Sequence, residues 1–533
     1  MASRTFSMTE PVLHLPIRDS DEMWYVKLSE NGEQFAEYYI GLTSGKADFY
    51  CPLYLDAHLG QTVTLSCDDE NAPDSLFDGI VPGGTIEETP ALYPALYQER
   101  TRQQVHFSSR RGWLNDPNGL VYTNGEFRMC YQHNPFSPNH NCVSACWGLA
   151  VTKDGVHFTE FPDPIMTHDA YTTAGSGSAI VDTDNLSGFG ADTILAVFTR
   201  LAAIAKKGRT PHPADGQYLY YSTDGGYHFR PIRQGPVIPD PTGTGWRDPK
   251  ILRVAPGKLC IAVYETFKGK DCVSFYSSEN CLDWKFESRT GNLYECPDLF
   301  PLPVAETGEM RWALYGGNGE YRVGTFENYR FTAIGTPGQL DYGTATYAGQ
   351  TWNSHPDLNV RYHIAWLHDE EQPWFYDPDR RPGMPFAQSM TVLCRFTLHE
   401  TRDGYRLFRE PIKAFSSLRR QETACRLAPG ETRTLPVPGD TELTLPGGQA
   451  AAVTVNGQGF TFDGKTFSFT GGKTYRRSGT GALTVRIVTD VRSVEFFLGG
   501  EISASYFDGA EEKRLCTDTA ADCRIWELES IWA

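Results

Sequence analysis

Long amphipathic helical patterns are scarce in this sequence of 533 residues, and no apolar run approaches the length of a membrane-spanning helix. The first residues also lack the apolar stretch of a signal peptide. We therefore expect a cytoplasmic protein with no membrane partner. The 51 Gly, 34 Pro and 13% aromatic residues instead predict an all-β fold with many turns. Because the chain is too long for one hydrophobic core, we expect two or three domains.

The sequence also has few positively charged residues relative to negatively charged ones. The 48 Lys and Arg residues are outnumbered by 66 Asp and Glu residues, which gives a net charge of −18. Because an acidic surface repels polyanions, we expect no nucleic-acid partner and a neutral substrate. The aromatic residues suit a carbohydrate substrate, since rings stack on the apolar faces of sugars, but they are equally ordinary β-core residues.

The 13 cysteines form an odd set without a tight spacing framework. Cys142 and Cys146, with His140 nearby, could form part of a metal site, but a fourth ligand is not evident. We expect reduced thiols in a reducing compartment, no metal and no cofactor. The sequence is compatible with a homo-oligomer.

Three regions follow one another along the chain. Residues 1–97 contain short strands separated by turns, which predicts a small N-terminal β-module. In residues 98–386 a motif of the type Ser/Thr-x-Asp-Gly recurs at 152–158 and 222–229, with a less regular copy at 278–284. A recurrence at roughly seventy-residue intervals predicts one four-stranded sheet per unit, as in a β-propeller. Unrelated hairpins are the alternative.

Residues 387–533 show alternating apolar and polar positions, for example at 441–445 and 452–455. This alternation predicts a C-terminal β-sandwich. Residues 410–418 predict a short helical link without a chemical role.

The segment 113–119, Trp-Leu-Asn-Asp-Pro-Asn-Gly, places an acid among turn-forming residues. Such a backbone is rigid and could hold Asp116 at a fixed angle on the rim of a pocket. A plain β-turn between two strands is the alternative.

Two further acidic segments stand out. Asp248 lies between Arg247 and a proline, and Glu295 lies in an aromatic, proline-stiffened segment. An adjacent Arg favours the ionised form of Asp248, whereas a Glu among apolar neighbours is suited to donate a proton. Because a propeller brings turns from different blades together at one end of its channel, we expect Asp116, Asp248 and Glu295 to converge. Separate structural salt bridges are the alternative.

These three segments resemble the acidic motifs of glycoside hydrolase family 32, the family of invertases, inulinases and levanases. Supporting segments are 131–135 (Tyr-Gln-His-Asn-Pro), 147–148 (Trp-Gly), 176–179 (Ser-Gly-Ser-Ala) and 341–343 (Asp-Tyr-Gly). The N-terminal module and segments 106–112, 384–390 and 403–407 resemble the bacterial levanase branch, and 493–497 resembles the C-terminal sandwich of the family.

The resemblance implies a five-bladed β-propeller followed by a β-sandwich. It also implies a retaining, two-step mechanism with about 5 Å between the two working carboxyl groups. Asp116 would be the nucleophile on a fructofuranosyl unit, Glu295 the acid and base, and Asp248 the residue that holds sugar hydroxyls and stabilises the transition state. The implied pocket residues are Asn115, Gln132, Ser176, Arg247 and Trp366.

Three positions depart from the family pattern. Cys142 replaces an aromatic residue of the pocket wall, Gly175 replaces the Phe before Ser-Gly-Ser, and Ala345 replaces an Asp. Each change removes bulk or polarity beside the expected sugar site, and a lost buried aromatic ring forfeits a few kcal/mol of contact. Altered furanoside specificity and neutral drift both fit these changes. We count Cys142 and Gly175 among the substrate-binding residues.

We therefore expect a glycosidase that releases terminal β-fructofuranosyl units from fructo-oligosaccharides, fructan or sucrose. One alternative is a fructosyltransferase, in which a sugar replaces water at the second step. Another is a family member with altered furanoside specificity. A catalytically inactive, carbohydrate-binding propeller is the alternative from another class, and the intact Asp116, Asp248 and Glu295 argue against it.

Overall fold

The computed structural model describes residues 2–18, 22–139, 144–202, 216–240, 246–369 and 384–532. These residues form β-strands and short 3₁₀ helices, the latter at Asp56–His58, Pro90–Leu92 and Lys413–Leu418. The predicted all-β class is confirmed. Within the described ranges, no helix is both long enough and apolar enough to cross a membrane.

The N-terminal module contains two antiparallel sheets. Its strands are β1 (Ala2–Ser7), β2 (Val12–Ile17), β3 (Trp24–Glu30), β4 (Glu33–Ile40), β5 (Phe49–Tyr54), β6 (Thr62–Cys67) and β7 (Val81–Gly83). One sheet has the order β1-β6-β3-β4 and the other β5-β2-β7. Alternate residues of β3 are buried, as expected for a strand with one face on a core. Phe136 from the next domain joins this core, so the module packs against that domain.

The next three sheets each begin with a strand that contacts the first strand of the neighbouring sheet. The first sheet contains β8 (Gly112–Thr123), β9 (Glu126–Asn134), β10 (Cys146–Thr152) and β11 (Thr159–Ile165). The second contains β12 (Thr172–Val181), β13 (Ile194–Ala202), β14 (Gly216–Ser222), β15 (Arg230–Pro231) and β16 (Ile238–Pro239). The third contains β17 (Arg247–Ala255), β18 (Lys258–Phe267), β19 (Lys270–Ser278) and β20 (Lys285–Gly291).

Two more sheets complete the five-bladed propeller. The fourth contains β21 (Asp298–Pro303), β22 (Met310–Tyr315), β23 (Glu320–Glu327) and β24 (Arg330–Gln339). The later strands are β25 (Thr346–Thr351), β26 (Arg361–Leu367), β27 (Phe386–Ala387), β28 (Ser389–Met390), β29 (Cys394–Thr401) and β30 (Gly404–Pro411). All of these later strands except β27 belong to the fifth sheet, while β27 pairs in parallel with β8 and links the last blade to the first.

The fifth blade takes strands from both sides of the predicted domain boundary at 386/387. Strand β26 pairs with β29, and β29 pairs with β30, so the propeller extends to Pro411. The apolar alternation that begins near Cys394 therefore belongs to the propeller and not to the sandwich. The two domains could not be separated by this pattern, because both bury one face of each antiparallel strand.

The recurring Asp-Gly motif forms the turn between the third and fourth strands of a blade. The carboxylate of Asp154 accepts hydrogen bonds from the backbone N–H groups two and three residues later, at 2.8 and 2.9 Å. In the second blade Asp224 accepts from the N–H groups three and four residues later, and in the third blade Asn280 accepts from those two and three residues later. Side-chain oxygens that cap their own turn explain why these residue types recur.

The predicted link at 410–418 contains the 3₁₀ helix Lys413–Leu418, but its first two residues belong to β30. After this helix, twelve strands form two six-stranded sheets. The strands are β31 (Arg419–Leu427), β32 (Thr432–Leu435), β33 (Gly439–Leu445), β34 (Ala451–Val455), β35 (Gln458–Phe462), β36 (Thr466–Phe469), β37 (Thr474–Arg476), β38 (Leu483–Thr489), β39 (Ser493–Leu498), β40 (Ile502–Phe507), β41 (Lys513–Thr517) and β42 (Ala521–Leu528). One sheet has the order β31-β42-β33-β38-β39-β40 and the other β32-β41-β34-β35-β36-β37. Apolar residues of both sheets share one core, which is the architecture of a β-sandwich.

A buried histidine joins the propeller to the sandwich. The Nδ1 and Nε2 atoms of His106 lie 2.8 Å from carboxylate oxygens of Asp490 and Glu495, respectively. All three side chains are fully buried. Burial by itself would lower the pKa of His106, but the two carboxylates together raise the pKa to about 9. The ring is therefore charged at neutral pH and donates both of its N–H groups.

The charged His106 predicts a pH-dependent stability. Its pKa of about 9 in the folded protein exceeds the ordinary value of 6.5, so the stabilisation is fully present below pH 6.5 and is lost as the pH rises through 9. The difference corresponds to on the order of 3 kcal/mol. We expect His106→Gln to lower the midpoint of thermal unfolding by several degrees near pH 6, and by clearly less above pH 9. Scanning calorimetry measures both, with the exposed His157→Gln as a control. An equal loss at the two pH values would contradict a charged His106.

Candidate active site

The first strands of four blades carry a β-bulge near the same end of the channel. The pairing register shifts at 114–117 in β8, at 174–177 in β12, at 247–250 in β17 and at 347–350 in β25. A bulge re-aims the side chains at the extra residue. The turn predicted at 113–119 is therefore wrong, because this segment is a bulged strand that pairs with β9 on both sides of the bulge.

Asp116 lies in the β8 bulge and is 8% exposed. Its Oδ1 accepts a hydrogen bond from Asn115 Nδ2 at 3.0 Å, and its Oδ2 accepts one from Ser176 Oγ at 2.5 Å. The Sγ of Cys296 approaches Oδ2 at 3.4 Å. Burial raises the pKa of Asp116, while these three donors oppose the rise. Donors on both oxygens fix the direction of the carboxyl group.

Asp248 lies in the β17 bulge and has a left-handed backbone, with a φ of +62°. Its N–H donates to Thr199 Oγ1 at 2.9 Å, and its Oδ2 accepts from the N–H of Cys296 at 3.2 Å. Contacts to two other blades thus hold this strained residue in place.

The protonation of Asp248 differs from what the sequence led us to expect. Burial raises its pKa, the adjacent Arg247 opposes the rise, and the charges of Asp116 and Glu295 add to it, so that the pKa reaches about 7. Arg247 favours the ionised form as expected, but it does not keep the carboxyl group fully ionised, because about half of the molecules carry the proton at pH 7. Burial and two like charges outweigh one guanidinium group.

Glu295 lies just before β21, with a φ of +50°. Arg247 Nη2 donates to its Oε1, and the Tyr347 hydroxyl donates to its Oε2. Burial raises the pKa of Tyr347, so its hydroxyl remains a donor. The guanidinium of Arg247 also lies over the ring of Tyr264, with its carbon 4.6 Å from the centroid. Both oxygens of Glu295 are thus held.

The thiol of Cys296 lies between two of the carboxyl groups, 3.4 Å from Asp116 and 3.6 Å from Asp248. Burial, reinforced by the surrounding carboxylates, raises the pKa of Cys296 well above its ordinary value. Cys296 is therefore a neutral thiol that donates to a carboxylate. The predicted convergence of Asp116, Asp248 and Glu295 is present in the structure.

Two of the predicted pocket residues, Gln132 and Gly175, lie beside the β12 bulge. Gln132 Nε2 donates to the carbonyl oxygen of Ala174 at 2.8 Å. The carbonyl oxygen of Gly175 accepts from Trp147 Nε1 at 2.9 Å, and Gly175 remains partly exposed. Gly175 directly precedes Ser176, which contacts Asp116, and Gln132 contacts the residue before Gly175.

Trp366 is fully buried. Its ring packs edge-on against Tyr347 and Trp113, with centroid distances of 6.4 and 6.1 Å. Trp366 thus supports the tyrosine that holds Glu295, and it does not line an open wall as the resemblance implies.

The departure at Ala345 does not open the pocket. Ala345 is 2% exposed, and its N–H donates to the carbonyl oxygen of Ser505 in the sandwich at 3.0 Å. The nearby Asp341 likewise accepts from Ser503 and Ser505, so the segment 341–343 joins the propeller to the sandwich. Cys142 lies outside the described residues.

Among the described residues, His133, Cys146 and Asp163 bring three potential metal-ligating atoms within 4.8 Å of one another. Both ring nitrogens of His133 are already engaged, by Asp163 Oδ1 and by the carbonyl oxygen of Arg111, each at 2.8 Å. This is the arrangement of a structural hydrogen-bond network. The other candidate ligand, His140, lies outside the described residues.

Sequence reasoning overlooked Tyr347 and gave Cys296 no role. Tyr347 lies two residues after Ala345, in a segment that the resemblance already covers. A tyrosine in a β-strand is most often a packing residue, and the sequence offers no signal that its hydroxyl meets a glutamate 52 positions earlier.

A family model described as "Glycosyl hydrolases family 32 N-terminal domain" matches residues 106–411. The match covers more than half of the chain and includes Asp116, Asp248 and Glu295. The chain belongs to glycoside hydrolase family 32. A family 32 relative, the levanase of Bacillus subtilis (strain 168), is 31% identical over 349 residues, covering 61% of this chain and 48% of the levanase. Invertase 1 of Saccharomyces cerevisiae is 31% identical over 326 residues, covering 56% of this chain and 58% of the invertase. The chain thus spans about half of the length of these relatives.

A solved family 32 structure shows the same fold. The exo-inulinase of Aspergillus awamori superposes with a TM-score of 0.69 at 24% identity, covering 82% of this chain and 100% of the exo-inulinase. The five blades and the sandwich are therefore the family architecture.

The raised pKa of Asp248 predicts a cost in stability. With a pKa of about 7 in the folded protein against an ordinary 3.8, its contribution is fully present below pH 3.8 and is lost as the pH rises through 7. We expect Asp248→Asn to raise the midpoint of thermal unfolding at pH 8 by several degrees, and by much less at pH 4.5.

A carboxylate with the opposite shift provides the control. The hydrogen bonds at the Asp154 turn outweigh partial burial and lower the pKa of Asp154 to about 2. Asp154→Asn should therefore lower the midpoint at pH 8. If Asp248→Asn also destabilises the fold at pH 8, the raised pKa is refuted.

Proposed function

We propose that this protein is a glycosidase that releases terminal β-fructofuranosyl units from fructo-oligosaccharides, fructan or sucrose by a double displacement. The observation that carries the proposal is the convergence of Asp116, Asp248 and Glu295, from three blades, around Cys296. The similarity to a levanase and an invertase supports fructosides as the substrate class.

In the first step, an oxygen of Asp116 attacks the anomeric carbon of the terminal fructosyl unit. Asn115 and Ser176 hold the carboxyl group in one direction, so little reorganisation is needed at the moment of attack. The glycosidic C–O bond breaks as the ester bond forms. Glu295 gives its proton to the leaving oxygen.

In the second step, Glu295 takes a proton from water, and the resulting hydroxide attacks the same carbon. The ester bond breaks, fructose leaves with its original configuration, and the carboxylate of Asp116 is restored. Arg247 and Tyr347 hold Glu295 in one position through both of its roles.

Asp248 contacts the sugar hydroxyls in this mechanism. Its pKa of about 7 makes both protonation states available near neutral pH, so it can accept from one hydroxyl or donate to another. As positive charge develops on the sugar ring, the ionised form stabilises it.

We also propose a cytoplasmic location. The twelve cysteines in the described part of the chain are free thiols, which suits a reducing compartment. Cell fractionation with an antibody against the protein tests this location, and recovery in the culture medium would refute it.

Removal of the nucleophile tests the mechanism. We expect Asp116→Ala to lower kcat for sucrose or kestose by at least about a thousandfold, because no other group forms the ester. Reducing-sugar release measures the turnover. The exposed Asp192→Ala is the matched control and should keep wild-type turnover. Unchanged turnover of Asp116→Ala would refute the assigned role.

A hydrolysis panel of sucrose, kestose, inulin, levan and other furanosides tests the substrate class. Release of fructose one unit at a time supports exo action. Transfer products at high sucrose would instead favour the fructosyltransferase. Cleavage of another furanoside, with no fructoside cleaved, would favour altered specificity.

A further inference from the structure

We propose that three tyrosines at the junction of the N-terminal module and the propeller bind the distal sugar units of an oligosaccharide. These residues, Tyr25, Tyr39 and Tyr171, are called the tyrosine cluster below. The inference rests on the proposed function in one respect, since it takes the substrate to be a fructoside with more than two sugar units. It assigns a binding role to a module that lies outside the matched family domain at 106–411.

The three rings of the tyrosine cluster form a continuous row. Tyr25 and Tyr39 are cross-strand partners on β3 and β4, and their ring centroids are 4.5 Å apart. Tyr171, from the propeller, stacks on Tyr25 with a centroid distance of 5.8 Å and an interplanar angle of 19°. All three side chains remain partly exposed. Partly exposed rings with hydroxyl groups suit sugars, which offer both apolar C–H faces and hydroxyls.

Buried polar contacts hold the cluster in place. The Tyr171 hydroxyl donates to Glu37 Oε1 at 3.0 Å, and Glu37 is 6% exposed. The hydroxyl oxygen of Tyr38 lies 2.8 Å from His168 Nδ1. The backbone N–H of Tyr39 donates to Ser144 Oγ at 3.3 Å. The module is therefore attached firmly to the propeller segments before β10 and β12, and the rings are positioned before a ligand arrives.

The cluster lies close to the catalytic carboxyl groups along one strand. Tyr171 directly precedes β12, and Ser176, five residues later, donates to Asp116. Five residues of extended strand span at most about 17 Å, a distance that a short oligosaccharide can bridge. Gly175 lies between them on the same strand, partly exposed and without a side chain to close the path. The replacement of Phe by Gly175 thus leaves room for a longer substrate.

A series of substrates of different length tests the proposal. The measured quantity is the ratio of kcat/KM for β-2,1- and β-2,6-linked oligosaccharides of three to eight units to kcat/KM for sucrose. We expect Tyr39→Ala to lower this ratio roughly tenfold through a higher KM for the long substrates, the size of effect that one lost ring contact produces. Tyr39→Phe keeps the ring and should keep most of the ratio.

The control and the contrary outcomes are defined by the same assay. Tyr50→Ala removes a partly exposed tyrosine from the other sheet of the module and should not change the ratio. An unchanged ratio in a Tyr39→Ala protein with a normal unfolding midpoint overturns the proposal. So does an equal loss on sucrose and on long substrates, which would show that the cluster only attaches the module.

A failure of the proposed function has a different signature. In that case the wild type cleaves no fructoside of any length. Titration calorimetry with the eight-unit oligosaccharides then decides the matter. Binding that weakens in Tyr39→Ala would support the tyrosine cluster as a sugar site, and absence of binding to the wild type would overturn it.

Discussion

Three carboxyl groups repel one another when they are buried together, and the architecture of this site follows from that constraint. Arg247 contacts both Asp248 and Glu295, and the neutral thiol of Cys296 separates Asp116 from Asp248. Even so, burial, with a smaller contribution from the charges of Asp116 and Glu295, raises the pKa of Asp248 to about 7. In the proposed mechanism, a carboxyl group with a pKa near neutrality can donate a hydrogen bond to one sugar hydroxyl or accept one from another.

The bulges solve the geometrical side of the same problem. In a regular strand, neighbouring side chains point to opposite faces, so Asn115 and Asp116 could not both reach one site. The bulges at 114–117, 174–177 and 247–250 bring such neighbours to the channel end of the blades. If these strands paired without a bulge, one of the two neighbouring side chains would face away from the site.

Much of this arrangement is readable from the sequence, and the rest is missing for physical reasons. The capped Asp-Gly turns and the three acidic segments are local signals, so the propeller and Asp116, Asp248 and Glu295 could be predicted. A bulge and a turn share the same residue types, so the sequence of segment 113–119 does not distinguish them. The pKa of Asp248 depends on burial and on charges from other blades, which no local pattern contains. The predicted domain boundary at 386/387 is wrong because strands of the propeller and of the sandwich show the same alternation of buried and exposed residues.

The sandwich and the N-terminal module support the site from two sides. The sandwich holds the segment 341–343, which ends two residues before the strand of Tyr347 begins. The module contacts the segment before β12, the strand of Ser176. The two accessory domains thus brace the two strands that position Glu295 and Asp116, although neither contributes a carboxyl group.

The contacts of the segment just before the first blade have a consequence for biosynthesis. The backbone N–H of Gln104 bonds to Asp490, which is 386 residues further along, and Trp532 Nε1 donates to the carbonyl oxygen of Gln103 across 429 residues. At bacterial or eukaryotic translation rates, the ribosome makes these partners on the order of tens of seconds after the segment emerges. Meanwhile the described strands of the N-terminal module can pair with one another, because their partners all lie within residues 2–83, although the core of the module also needs Phe136. Segment 103–104 therefore waits for the sandwich even after β27 has paired with β8, and until then the apolar residues that it covers would be exposed to a holdase chaperone.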